Sequence, residues 1–280
     1  EQALVGGVKI NFYPMESDVK IGIESKDGKT RPFDNSSDGT GSGEGVASIM
    51  IKPLKSAIKE KDRIYAVIKG SSINQDGEAA GITAPNVESQ ISVLHNAWKN
   101  AGINPVDLDF IEAHGTATKL GDTIEIEALT EALSKYTNKK QICGITAIKS
   151  NIGHLYESSG ITGVIKCALS LYHNMVPGIC NFYSPNSNIE FEKTPFFVIK
   201  DSMKLEKKEK KHLCGISSFG FSGTNCHVVL EEAPHYEKKF IENEDEIFTI
   251  SAKIKWSLIE YIKKYQSEII NNKSITLREL

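Results

Sequence analysis

Two stretches decide the fold: Leu108-Asp109-Phe110-Ile111-Glu112-Ala113-His114-Gly115-Thr116 and Ile142-Cys143-Gly144-Ile145-Thr146-Ala147-Ile148-Lys149-Ser150-Asn151-Ile152-Gly153-His154. Each opens on an apolar run short enough to be a buried strand, Leu108 to Ile111 in one and Ile142 to Ile148 in the other. Each then turns through small residues beside a histidine and enters a helical pattern. In the first unit Asp122 is expected to cap the helix, with Glu125 three residues on as a capping box and Ile126, Leu129 and Leu133 on its apolar stripe. In the second, Ser158 to His173 is expected to form a helix with Ile161, Val164, Ile165, Ala168, Leu169 and Tyr172 inward. Repeated strand–turn–helix units imply an α/β fold. A histidine just past each strand lies where such sheets collect ligands and chemistry.

Upstream of these units, Val87 to Lys99 reads as a helix ended by Gly102, and a strand begins at Ile64 to Ile68. Ala3 to Phe12 reads as a buried strand in which Gly6-Gly7 admits another backbone, and Val46 to Ile51 as a second strand. The charged segment Lys52 to Arg63 reads as a seam. Downstream come short strands at Phe196 to Ile199, Leu213 to Ser217 and Val228 to Leu230, then charged residues and an amphipathic helix from Trp256 to Ile270.

Composition narrows the class. The 280 residues are 40% hydrophobic and 25% charged with a formal net charge of -3, an ordinary globular profile without the basic field that nucleic acid would need. No apolar run is long enough for a membrane helix, and no signal-peptide pattern is seen. The five cysteines are scattered without metal-ligand spacing, which suits a reduced, cytoplasmic interior and predicts no metal site. The chain enters an apolar strand almost at once from Glu1, which is read as a piece of something larger.

Neutral imidazoles at neighbouring strand ends can converge on one oxygen as N–H donors and stabilise an enolate or oxyanion. Lys149, a short reach from His154, is expected to hold that ring neutral by like-charge repulsion. A histidine at a strand end also serves as a satisfied structural residue, and the pattern alone leaves both readings open. The turn Ser217 to Asn225 alternates small residues with Phe219 and Phe221 and reads either as a flexible oxyanion-hole loop or as a tight turn with two core phenylalanines. The loop Asp38 to Gly45 lacks the Gly-Lys-Ser/Thr ending of a phosphate-binding loop. The basic run Lys204 to Lys211 is read as a solvated hairpin tip, with an acidic partner as the alternative.

The stretches Glu112 to Asp122, Lys149 to Leu155 and Ser218 to Glu232 together resemble β-ketoacyl synthases, with the nearest likeness to ketosynthase domains of modular polyketide synthases. Ala3 to Val8 and Asp38 to Gly45 fit the same family. The resemblance implies a thiolase-like α/β/α/β/α fold of which this chain is the C-terminal half, incomplete at its N-terminus. It divides the chain into the end of the N-terminal half (1–62), the C-terminal half (63–233) and the start of the following linker (234–280). It implies decarboxylative Claisen condensation of an acyl chain with malonyl-acyl carrier protein. His114 and His154 would grip the extender thioester, and Lys149 would match the active-site lysine. Thr116 and Thr118 would bind the phosphopantetheine arm, Phe221 would be the gate, and Phe219 and Asn225 would join the substrate-binding set. No cofactor is implied beyond the carrier's phosphopantetheine. The implied partners are acyl carrier protein, the rest of the synthase module and a second copy in a homodimer.

Four departures from the family's pattern are small, and none removes a catalytic side chain. Ala117 stands where glycine or serine is usual, Thr123 where proline is, Tyr156 where glutamate is common and Cys226 where alanine is common. The family's covalent cysteine has no counterpart here, so it is expected upstream and the chain alone is expected to be inactive. A separate half-domain that only scaffolds an upstream partner is the rival reading.

Overall fold

The computed structural model describes residues 1–10, 23–77, 85–234 and 249–272. The chain divides into two compact units, residues 1–234 and 235–280. In chain order the first unit holds β1 (Ala3–Lys9), β2 (Gly45–Ile51), α1 (Leu54–Glu60), β3 (Ala66–Gln75), α2 (Val87–Ala101), β4 (Phe110–Glu112) and α3 (Lys119–Ser134). It continues with β5 (Cys143–Thr146), α4 (Lys149–Ile152), α5 (Ser159–His173), β6 (Met175–Val176), β7 (Phe196–Val198), β8 (Met203–Lys204), β9 (Leu213–Phe219) and β10 (Thr224–Glu232). The second unit contains α6 (Lys255–Asn271), none of whose residues is buried.

A six-stranded sheet in the order β3-β10-β9-β4-β5-β7 forms the frame. β9, β4, β5 and β7 run parallel, while β10 is antiparallel to both β3 and β9. Strand alternation sends Ile111 to one face, where α2 and α3 pack through Leu94, Trp98, Leu129 and Leu133. It sends Phe110 to the other, against Cys167 and Leu171 of α5. The parallel β9, β4 and β5 therefore end at one edge, and the turns that follow them meet there. α2 starts on Asn86, whose side chain accepts the Ser89 N–H at 3.3 Å, and ends on Gly102 at φ 64°. Asn86→Ala is expected to cost about 1 kcal/mol in urea denaturation, the usual worth of such a cap.

Several sequence expectations change. β1 pairs antiparallel with β2 as a two-stranded ribbon, and Leu4 and Val46 are 70% and 68% exposed, so β1 is not buried. Its Gly7 does admit a close backbone: a Cβ there would lie 3.0 Å from the Ser158 Cα. The expected seam contains a helix, α1. Asp122 is not the cap of α3. Thr118 is, accepting the Gly121 N–H at 3.2 Å, while Asp122 lies buried one turn inside.

The face of α5 is also rotated from the expected one. Gly163, Lys166, Cys167, Ser170 and Leu171 face inward, whereas Leu169 and Tyr172 are exposed. A Cβ on Gly163 would sit 3.2 Å from Ile216, so helix and sheet approach through a glycine, and Lys166 goes inward because Glu112 receives it. The basic run is largely neutralised: Lys208 pairs with Asp109 at 2.7 Å, Lys210 with Asp107 at 2.9 Å and Lys211 with Glu231 at 3.4 Å.

Candidate active site

The turn after β4 carries His114, and two acids from the start of α3 hold that turn. Glu125 accepts the backbone N–H of His114 at 2.7 Å and of Gly115 at 2.9 Å. Asp122 accepts the N–H of Ala117 at 3.0 Å and of Phe33 at 2.7 Å. Gly115 takes φ 47°, and a Cβ there would lie 2.7 Å from the Ala147 Cβ, so both conformation and space demand glycine. Burial raises the pKa of both acids, Asp122 to about 8.

His154 follows α4 and Gly153. Its backbone N–H donates to Gly41 at 2.7 Å and its carbonyl accepts from Gly43 at 3.0 Å. A Cβ on Gly43 would lie 2.2 Å from the Ile152 carbonyl oxygen. The glycines of Asp38 to Gly45 thus allow this loop to lie along the His154 turn, which accounts for a composition that superficially suggests phosphate binding.

The imidazole rings of His114 and His154 are 5.8 Å apart and nearly perpendicular, at 83°. The hydrogen bonds set the proton on each ring. Nδ1 of His114 accepts the Phe219 backbone N–H at 3.2 Å and faces the Lys149 ammonium at 3.5 Å. Nδ1 of His154 accepts the Tyr156 backbone N–H at 3.0 Å and meets the Ser159 hydroxyl at 2.9 Å. An Nδ1 that accepts carries no proton, so each neutral ring bears its hydrogen on Nε2. Among the described residues neither Nε2 has a protein partner, and each is left as a donor.

Electrostatics keep both rings neutral. Burial, then Lys149 and His154, holds His114 well below the ordinary histidine range. Burial, then Lys149, brings His154 down to about 3. Lys149 touches His114, donating to its carbonyl oxygen at 2.5 Å, so the expected repulsion reaches both rings and is secondary to desolvation. Burial lowers Lys149 itself to about 8 against the pull of Glu112, Glu125 and Asp122.

Of the remaining residues, only Phe219 is in contact with the pair; the others lie on the turns that follow β4 and β9 or at the start of β10. Thr116 and Thr118 lie in the His114 turn with their hydroxyls 3.3 Å apart. Phe219 ends β9 and packs on His114 with ring centroids 5.5 Å apart. Phe221, half exposed, sits in the hairpin turn beyond. Asn225 is buried, and its amide donates to Asp76 at 2.6 Å and Asn74 at 3.2 Å, which ties that turn to the end of β3.

Sequence reading missed the clamping acids, the pair Glu112–Lys166 beneath the site, and His227. Lys166, a lone charge on an apolar helix, was the available signal. His227 is fully buried, accepting the Trp98 indole N–H at 3.3 Å and meeting Ser217 at 3.0 Å, and burial brings it down to about 3. The stability it contributes as a neutral ring is present above its unfolded pKa near 6.5 and is lost as pH falls toward 3. His227→Gln is expected to reduce the slope of stability against pH, measured by urea denaturation between pH 4 and 6, by about 1.4 kcal/mol per pH unit.

Known proteins resemble this chain in sequence and in fold. The family model "Beta-ketoacyl synthase, C-terminal domain" matches residues 65–183, the N-terminal domain of the same enzyme matches 1–57, and the "Ketoacyl-synthetase C-terminal extension" matches 185–279. Polyketide synthase PksN of Bacillus subtilis is 42% identical over 275 residues, which is 96% of this chain and 5% of that protein. Erythronolide synthase EryA3 of Saccharopolyspora erythraea is 37% identical over 239 residues, 84% of this chain and 8% of that protein. The ketosynthase from module 6 of the bacillaene synthase of Bacillus subtilis superposes with a TM-score of 0.89 at 38% identity, covering 99% of this chain and 48% of that one. The oxazolomycin ketosynthase domain OzmH KS7 of Streptomyces albus gives 0.92 at 27% identity, covering 99% and 50%. The chain thus spans about half the length of these solved ketosynthases. It has their thiolase-like fold, and it belongs to the β-ketoacyl synthase family, among the ketosynthase domains of modular polyketide synthases.

Proposed function

We propose that this chain supplies the decarboxylating, enolate-binding half of a ketosynthase site that condenses an acyl chain with malonyl-acyl carrier protein. The observation that supports it most is the proton placement: two neutral imidazoles side by side, both with Nδ1 occupied and Nε2–H available. A thioester carbonyl oxygen accepting from both donors gains stabilisation as it takes on charge. The C–C bond to the malonyl carboxylate breaks, CO2 leaves, and its electron pair becomes the enolate. The enolate carbon then attacks an acyl thioester and expels a cysteine thiolate.

In this reading Lys149 and the Phe219 amide keep His114 oriented and neutral. Thr116 and Thr118 bind the phosphopantetheine arm, Phe221 gates the acyl chain, and Asn225 acts by holding the gate turn. The acyl-bearing cysteine comes from polypeptide preceding residue 1, and the chain alone does not condense. Supporting this, Cys143, Cys167 and Cys214 are sealed in the core, and burial raises the thiol pKa of Cys143 and Cys167. Cys226, half-buried, is raised likewise. Exposed Cys180 accepts from the Asn151 amide, outside the histidine pair. Acyl carrier protein, the rest of the module and a homodimeric partner complete the assembly.

The test joins the chain to the coding sequence preceding it and measures labelled CO2 released from malonyl-acyl carrier protein. Release above the uncatalysed rate is expected, and release at background would refute the proposal.

A further inference from the structure

Tyr156 follows His154 by two residues and touches it twice. Its backbone N–H donates to His154 Nδ1 at 3.0 Å, and its phenol ring lies flat on the imidazole, with centroids 4.4 Å apart and planes 8° apart. The Lys9 ammonium, brought in by β1, stands over the same phenol ring at 5.1 Å from its centroid. The backbone of Tyr156 is left-handed, at φ 42°, a conformation disfavoured for a residue with a Cβ. Glycine would deliver the same N–H without that cost, so the donor does not account for the side chain. The ring contact does.

Among the described ring contacts of His154, only the Tyr156 phenol lies flat on a face of the imidazole. Ser159 meets one atom, Nδ1, and His114 approaches edge-on. Hydrogen bonds at Nδ1 hold one edge of the ring, whereas a stacked ring resists rocking of the opposite, Nε2 edge and shuts water off one face. We infer that Tyr156 is a positioning residue for His154, its ring holding the imidazole plane so that the Nε2–H stays aimed at the oxygen shared with His114. This rests on the reading that both histidines donate to one substrate oxygen. Misorientation of a donor is felt most when that oxygen carries charge, so the effect belongs in kcat more than in KM.

The test uses Tyr156→Phe, Tyr156→Ala and Tyr156→Gly in the complete polypeptide that carries this chain. The charged and titratable groups around the stack are Lys149 and His114 beside His154, with Lys9, Glu24 and Glu157 around Tyr156. Histidine-labelled protein followed by NMR reports the His154 titration. Phe is expected to match the parent. Ala and Gly are expected to move the titration up by about one pH unit or more as the face is wetted. Malonyl decarboxylation is expected to lose about tenfold in kcat in Ala and Gly, with KM within twofold and Phe restoring the rate. The Gly variant relieves the backbone strain, and a parent-like urea midpoint in Ala or Gly separates a loss of positioning from a loss of fold. A parent-like titration or a parent-like kcat in both Ala and Gly overturns the inference. Absence of decarboxylation in the parent itself counts against the function proposed above, and the titration still decides the hold of Tyr156 on His154.

Discussion

Alanine at either His114 or His154 is expected to slow CO2 release from malonyl-acyl carrier protein by roughly 10²–10³-fold, the usual cost of removing one donor from a preorganised oxyanion site. The expectation follows from the proton placement. Phe219 and Lys149 face one Nδ1, Tyr156 and Ser159 the other, so each ring offers one Nε2–H, and truncation deletes that donor outright. Two donors on one oxygen act as a unit, so the double variant should lose less than the product of the single losses. Because both rings are neutral well below their ordinary range, the parent's rate should show no histidine titration between about pH 5 and 7, below the Lys149 transition at about 8. Radiolabel release from purified parent and variants is the measurement. Variants that decarboxylate like the parent would show that the histidines do not hold the reacting oxygen.

The largest stability effect is expected at the ion pair beneath the site. Lys166 Nζ lies 2.8 Å from Glu112 Oε2 and 2.6 Å from the Thr146 hydroxyl, with the two charged side chains 6% and 2% exposed. Glu112 Oε1 accepts the Ile148 N–H at 2.5 Å, one residue before Lys149. Removing one partner leaves the other buried and uncompensated. Lys166→Met is therefore expected to cost about 3–5 kcal/mol in urea denaturation. Adding Glu112→Gln, which keeps an acceptor for Ile148 and removes the stranded charge, should recover more than half of that loss. A Lys166→Met variant within about 1 kcal/mol of the parent would mean that the pair is solvated. The pair joins α5 to the end of β4 and to the Lys149 turn, so the single variant should also weaken catalysis, while the double variant separates packing from charge.

Why some of this was legible and some was not comes down to the range of the interactions. The two strands, read at Leu108 to Ile111 and Ile142 to Ile148 and found at Phe110–Glu112 and Cys143–Thr146, and the α2 stop at Gly102 depend on neighbours along the chain, so their existence could be read directly and their ends only to within two residues. The pattern Asp122…Glu125 mimics a capping box, yet Thr118 stands nearer the true helix start and takes that role. Both acids were then free to reach back to Phe33, His114, Gly115 and Ala117. For α5, counting apolar positions picked Leu169 and Tyr172, because periodicity cannot register a glycine chosen for close approach or a lysine with a buried partner 54 residues away.

By itself the sequence determined the α/β alternation, the two histidine-bearing turns and the family, since each is written in local hydrophobic period, glycine placement or contiguous motif. Tertiary structure alone decided that the two imidazoles stand 5.8 Å apart and that both carry their proton on Nε2. That second fact depends on a backbone amide 105 residues from His114, on the lysine beside it, and on the desolvation that closing α2, α3 and α5 around the sheet imposes. A proton's position on a ring is set by what faces the ring, and only the folded chain brings those groups together.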